Sequence, residues 1–106
     1  MRVVLCNVPP EVAGSIADEL VRRRLAACVT ATAVTSTYRW DGAVHRDAEV
    51  TLTIKVSSLG VDALREALVA LHPYECPEVV ALSVDTASSH GPYVDWVRAE
   101  SGHDGQ

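Results

Sequence analysis

A mixed α+β fold follows from three observations. A long two-armed strand pattern hinges on Asp41-Gly42, one amphipathic helical stretch precedes it, and another follows it. The 106 residues give one domain, spanning 1–106, with no length for a second core. Apolar residues make up 48% of the chain, enough for a packed interior and too many for a disordered one.

The elements follow in chain order. Val3 to Val8, "VVLCNV", is a short apolar run closed by Pro9-Pro10 and reads as a buried strand. From Glu11 the period changes. Val12, Ile16 and Leu20 recur at i+4 with Ala13, Ala17 and Val21 beside them, which predicts an amphipathic helix to about Arg24. Pro10 suits its first turn, where the missing N–H has no helical partner.

"CVTATAVTSTYRW" and "AVHRDAEVTLTIKV" flank Asp41-Gly42, and an Asp-Gly pair between strand-like runs signals a tight primed turn with positive φ. In the second arm Val44, Val50, Leu52, Ile54 and Val56 share one face; His45, Asp47, Glu49, Thr51, Thr53 and Lys55 share the other. Each arm of about 13 to 14 residues spans roughly 45 Å at ~3.3 Å per residue. A domain of this size is only about 35 Å across. The hairpin therefore overhangs its own domain and exposes Tyr38, Trp40 and Val44 near its tip. Open strand edges pair readily with other chains, so a homo-oligomer is expected with the hairpin as its assembly element.

After Ser57-Ser58, Val61, Leu64, Leu68 and Leu71 repeat at helical spacing through His72. Pro73 ends that helix because its ring disfavours the α conformation at His72. "EVVALSV", Glu78 to Val84, reads as a second short buried strand, and Gly91-Pro92 opens a last helix carrying Tyr93, Val94, Trp96 and Val97. The order is β-α-β-β-α-β plus a C-terminal helix. It predicts the ferredoxin-like arrangement, a four-stranded antiparallel sheet with two helices on one face.

Composition excludes several functions. No run approaches the roughly 18 apolar residues of a membrane span. The start, Met1-Arg2-Val3-Val4-Leu5-Cys6, enters a strand without a signal peptide's layout, so a cytoplasmic protein with no membrane partner is expected. Cys6, Cys28 and Cys76 are odd in number and widely spaced, which fits reduced thiols rather than a disulfide framework. A net charge of −5 argues against nucleic acid. The single basic run, Arg22-Arg23-Arg24, falls where cations complement a helix C-terminus.

"LAACV" (Leu25 to Val29), "TSTYRWDG" (Thr35 to Gly42), "IKV" (Ile54 to Val56), "LHPYECPE" (Leu71 to Glu78) and "YVDWV" (Tyr93 to Val97), in this order and spacing, resemble the CutA family of divalent-cation tolerance proteins. The resemblance runs from Val3 to about Ser101. It implies a ferredoxin-like fold assembled as a trimer through long hairpins, and a response to copper and other divalent metal ions. It also implies Cys6 and His72 as metal ligands. Some family members carry a second histidine where this chain has Leu71, so a site of one cysteine and two histidines is short of a ligand here.

A thiol and an imidazole suit copper(I) or zinc where they converge, and no obligatory cofactor is expected. Against this stand two structural readings: a free cysteine is commonly a small buried hydrophobe, and a histidine ending a helix is favoured by the dipole. Glu75 and Cys76 add donors after His72, but two prolines keep them off a helix. By the resemblance, Tyr38, Trp40, Glu49, Lys55, Tyr74 and Glu78 line a cleft between subunits. That cleft is either a small-ligand pocket or an interface of aromatics and a Lys-Glu ion pair. No GxSxG, Walker, HExxH or dinucleotide motif is present, and a Cys6 nucleophile inside a strand is poorly placed, so no enzyme is expected. The other functional class open to this fold is a small-molecule sensor resembling the PII signalling trimers. The two-residue Asp41-Gly42 turn counts against their long nucleotide-binding loop.

Overall fold

Asp41 and Gly42 stand at φ of 51° and 79°, the paired positive values of a type I′ turn, and they join two strands of nearly equal length. In the computed structural model, which describes residues 1–102, these are β2 (Cys28–Trp40) and β3 (Ala43–Val56). The last four residues of the expected 1–106 domain lie outside the described residues. Before the hairpin come β1 (Arg2–Val8) and α1 (Pro10–Arg22); after it come α2 (Val61–Leu71), β4 (Val80–Ser83) and α3 (Gly91–Glu100).

The sheet order is β2-β3-β1-β4 with every neighbour antiparallel, which is the ferredoxin-like arrangement. Register alternation sends Val4, Cys6 and Val8 of β1 and Leu52, Ile54 and Val56 of β3 to the helix-covered face, where all six are buried. There they meet Ala13, Ile16 and Leu20 of α1 and Leu64, Ala67 and Leu68 of α2 in one core. Val12 packs at its margin, whereas Val21, predicted beside the apolar row of α1, is exposed. A smaller cluster of Met1, Ala27, Val94 and Val97 docks α3.

Pro10 occupies the first turn of α1 as predicted, and α1 stops at Arg22, two residues early. Arg24 has crossed to φ 59°, a left-handed position that no helix continues through. The basic run is spent on ion pairs: Arg22 with Asp18, Arg23 with Glu19, and Arg24 with Glu100 of α3. At the end of α2, His72 takes ψ of 134°, the extended conformation that Pro73 imposes on the residue before it.

The other face of the sheet is left uncovered by α1 and α2. It presents Asn7, Thr51, Thr53, Lys55 and the even-numbered residues of β2, with Val3, Leu5, Val80 and Leu82 as an apolar stripe. This changes the reading of the last strand. "EVVALSV" is an apolar run, but β4 covers only Val80–Ser83 and all four residues are exposed. It is an edge strand on a half-covered sheet, and an apolar run does not tell burial within the chain from burial by something else.

The longest dimension is 44 Å, the length forecast for the hairpin arms, and the Cα radius of gyration is 14.3 Å. The far half of β3, Ala43 to Ala48, is exposed throughout. The near half ends in a tight clamp. Ser101 Oγ accepts from the Ser57 N–H at 3.0 Å and donates to the Val97 carbonyl at 2.6 Å. Gly102 N–H donates to the Arg24 carbonyl. Gly60 and Gly102 pass so closely that a Cβ on Gly60 would stand 2.4 Å from the Gly102 Cα.

Candidate functional site

On the uncovered face, where β1 ends and α2 hands over to the Pro73–Glu78 connector, polar side chains converge around Asn7. Because Cys6 points into the helix-side core, its neighbour Asn7 points the opposite way. Thr51 Oγ1 donates to Asn7 Oδ1 at 2.7 Å, and Asn7 Nδ2 reaches Ser36 Oγ at 3.4 Å and Glu49 Oε1 at 3.5 Å. The second Glu49 oxygen accepts from the Tyr74 hydroxyl at 2.7 Å. Glu49 is only 6% exposed, and these bonds are what make a nearly buried carboxylate tolerable.

The connector itself is fixed by His72. Its Nδ1 accepts from the Tyr74 backbone N–H at 3.1 Å, which leaves Nε2 protonated and donating to the Asn7 carbonyl at 2.7 Å. The imidazole and the Tyr74 ring lie 4.6 Å apart. Burial first, then the Glu49 hydrogen bond and charge, hold the Tyr74 proton well above the ordinary phenol range. Tyr38 donates to the Asp47 carboxylate, which raises its pKa too, and its ring stacks on His45 at 5.6 Å.

These elements enclose a cleft of about 710 Å³ lined by Asn7, Ser36, Thr37, Tyr38, Trp40, Glu49, Pro73, Tyr74, Glu75, Cys76 and Glu78. Five of the six cleft residues named from the sequence therefore meet in one chain: Tyr38, Trp40, Glu49, Tyr74 and Glu78. Lys55 does not join them. It lies six residues along β3 from Glu49, roughly 20 Å at ~3.3 Å per residue, and donates to Thr30 Oγ1 at 2.9 Å. A Lys55–Glu49 ion pair within the chain is thus ruled out by strand geometry. Asn7 and Ser36 line the cleft and Thr51 supports Asn7, positions that sequence reasoning passed over. The signal for Asn7 was there, a lone amide inside the apolar run "VVLCNV".

The pair Cys6 and His72 does not fit a resident metal ion in this arrangement. Both ring nitrogens of His72 are committed to hydrogen bonds, to the Asn7 carbonyl and the Tyr74 N–H. The Cys6 thiol is fully buried on the helix side of β1; burial first, then the charges of Glu78 and Glu49, push its pKa up to about 12. A thiol in that state is a poor ligand, since the thiolate is what binds metal. Among the described residues no three His, Cys, Asp or Glu side chains stand together as a metal-holding group, so Glu75 and Cys76 do not complete one. Nor does the His72 side chain cap α2; its backbone N–H bonds the Leu68 carbonyl while the ring reaches across to β1.

The family description "CutA1 divalent ion tolerance protein" matches residues 2–100. The chain belongs to this family. It is similar to the divalent-cation tolerance protein CutA of Thermus thermophilus, 46% identical over 102 residues that cover 94% of this chain and 97% of that protein. It is 44% identical over 89 residues to the human protein CutA, covering 83% of this chain and 49% of the relative, so it spans about half the length of that protein. Among solved structures it is similar to the PII-like protein CutA from Nostoc sp. PCC 7120 in apo form, with a TM-score of 0.94, 44% identity and coverage of 95% and 97%. No helix among the described residues is long and apolar enough to cross a membrane.

Proposed function

We propose that this chain acts in divalent-cation tolerance as a non-enzymatic homotrimer that binds copper or zinc weakly. The observation that carries the assembly is the overhanging hairpin. Val44 is 60% and Trp40 48% exposed in one chain, while the adjoining sheet face leaves Val80 and Leu82 uncovered. Apolar surface of this extent beside an open β edge favours burial against other copies. In that assembly Tyr38, Trp40, Glu49, Tyr74 and Glu78 line a cleft that a neighbouring subunit borders, and Lys55 of the same chain stands apart from it.

Weak metal binding is what Cys6 and His72 allow. Ligation requires His72 to release one of its two hydrogen bonds and Cys6 to lose a proton held to about pH 12. The same commitments argue against a thiolate–imidazole catalytic pair. Three free thiols favour a reducing, cytoplasmic setting, and the net charge of −5 disfavours nucleic acid as a partner. Light scattering of the eluting protein tests the trimer, and a monomer at micromolar concentration would refute it. Copper and zinc titration of the protein against Cys6→Ala/His72→Ala tests the ligands. Matching isotherms would remove both residues from the site.

A second reading, small-molecule sensing in the manner of PII-type proteins, is favoured by the cleft. Its volume of about 710 Å³ lies within the roughly 300–1,000 Å³ of ligand pockets.

A further inference from the structure

We propose that the cleft binds an organic ammonium ion, an amine or diamine protonated at neutral pH; this deepens the small-molecule reading and rests on it. Three aromatic side chains, Tyr38, Trp40 and Tyr74, stand in the lining with three carboxylates, Glu49, Glu75 and Glu78, and no lysine, arginine or histidine is among the lining residues. All three rings are partly exposed, at 40%, 48% and 39%, so ring surface remains accessible even with His45 stacked on Tyr38 and His72 against Tyr74. An alkylammonium ion is attracted by aromatic faces and by negative charge together, which is the recognition chemistry of aromatic cages.

No basic side chain of the same strand is itself among the lining residues. Lys55 donates to Thr30, far along β3; the Arg46 side chain donates to Thr37 Oγ1 at the border of the cleft at 3.2 Å, and His45 stacks on the Tyr38 ring at 5.6 Å. Only Glu49 has its charge largely used internally, by Tyr74 and Asn7. Glu75 and Glu78 are exposed.

The geometry also separates an organic cation from a bare metal ion. A divalent metal needs several donors converging within about 2.0–2.6 Å of one point. No such group of His, Cys, Asp or Glu exists among the described residues. A larger, diffuse cation needs no such shell; aromatic walls and carboxylates of the kind that line this cleft suffice. Anionic ligands are disfavoured by the same wall.

Isothermal titration of the full-length protein with putrescine, spermidine and tetramethylammonium tests this, with 1,4-butanediol as uncharged isostere and zinc chloride and ATP as competitors of other classes. Ammonium ions should bind and butanediol should not. Glu78→Gln and Trp40→Leu should each weaken binding about twofold to fivefold, the range set by one exposed charge or cation–π contact. Binding should also fall as salt is raised. Equal binding of butanediol, unchanged ammonium affinity in both variants, or no ammonium binding at all would overturn the proposal. ATP binding without ammonium binding would overturn it too, while leaving the sensing reading intact. The oligomeric state measured on the same sample keeps assembly separate: a monomer that binds ammonium supports the proposal, and a trimer that binds none defeats it.

Discussion

The two halves of β3 have the same alternating pattern and opposite fates. In the near half Leu52, Ile54 and Val56 are buried under α1 and α2; in the far half Val44, on the same face of the same strand, is 60% exposed. The difference lies in what covers the strand, not in the strand. The helices reach only as far as the domain is wide, and the hairpin continues past them. One chain buries the near half by itself and leaves the far half exposed.

Four outcomes break or sharpen that contrast. The largest effect is expected for Leu52→Ala, which removes a fully buried side chain and should cost about 2–5 kcal/mol in urea unfolding. Next comes alkaline stability. The Cys6 thiol has an ordinary pKa of 9.0 when unfolded and about 12 when folded, so the folded chain holds the proton longer. Its contribution is complete below about pH 9 and is lost as pH rises toward 12, by at most about 1.4 kcal/mol per pH unit. Cys6→Ala should flatten the fall in stability between pH 9 and 11, whatever its effect at pH 7.

Gly60→Ala should rank third. The new Cβ meets the Gly102 backbone at 2.4 Å, so the clamp at the end of the near half must shift, at a cost of about 1–3 kcal/mol in thermal unfolding. The smallest effect is Val44→Ala, within about 0.5 kcal/mol if the far half stays in water. A loss above about 1 kcal/mol that grows with protein concentration would show instead that another chain covers it.

The sequence disclosed what local chemistry decides. Asp41-Gly42 announced the turn, Pro73 the end of α2, and the alternation of β3 its two faces. It was less informative wherever the answer depended on what lies opposite. "EVVALSV" looked interior because an apolar run carries no record of which face is covered, yet β4 is an exposed edge. His72 looked like a ligand or a dipole cap because its partners, the Asn7 carbonyl and the Tyr74 N–H, are backbone groups that no residue type reveals. Of the site, the residue types of the cleft were legible, and so was the six-residue gap along β3 that parts Lys55 from Glu49, which the assignment by resemblance overlooked. Asn7, which ties the cleft together, was hidden by reading its strand as simply apolar.

The type I′ turn has a consequence for the order in which the molecule assembles. Trp40 pairs with Ala43 and Cys28 with Lys55, so the hairpin can close like a zip from its tip using neighbours in the chain, whereas Val4 must wait for Ala81. Closing a long loop costs more entropy than closing a short one, so the ribbon should form first and the β1–β4 edge last. Pulse-labelled hydrogen exchange during refolding should protect amides of 28–56 before those of 80–83, and the reverse order would contradict it. On this schedule the ribbon forms before the edge strand β4 docks, and its distal half is open to a sister chain while the sheet is still being completed.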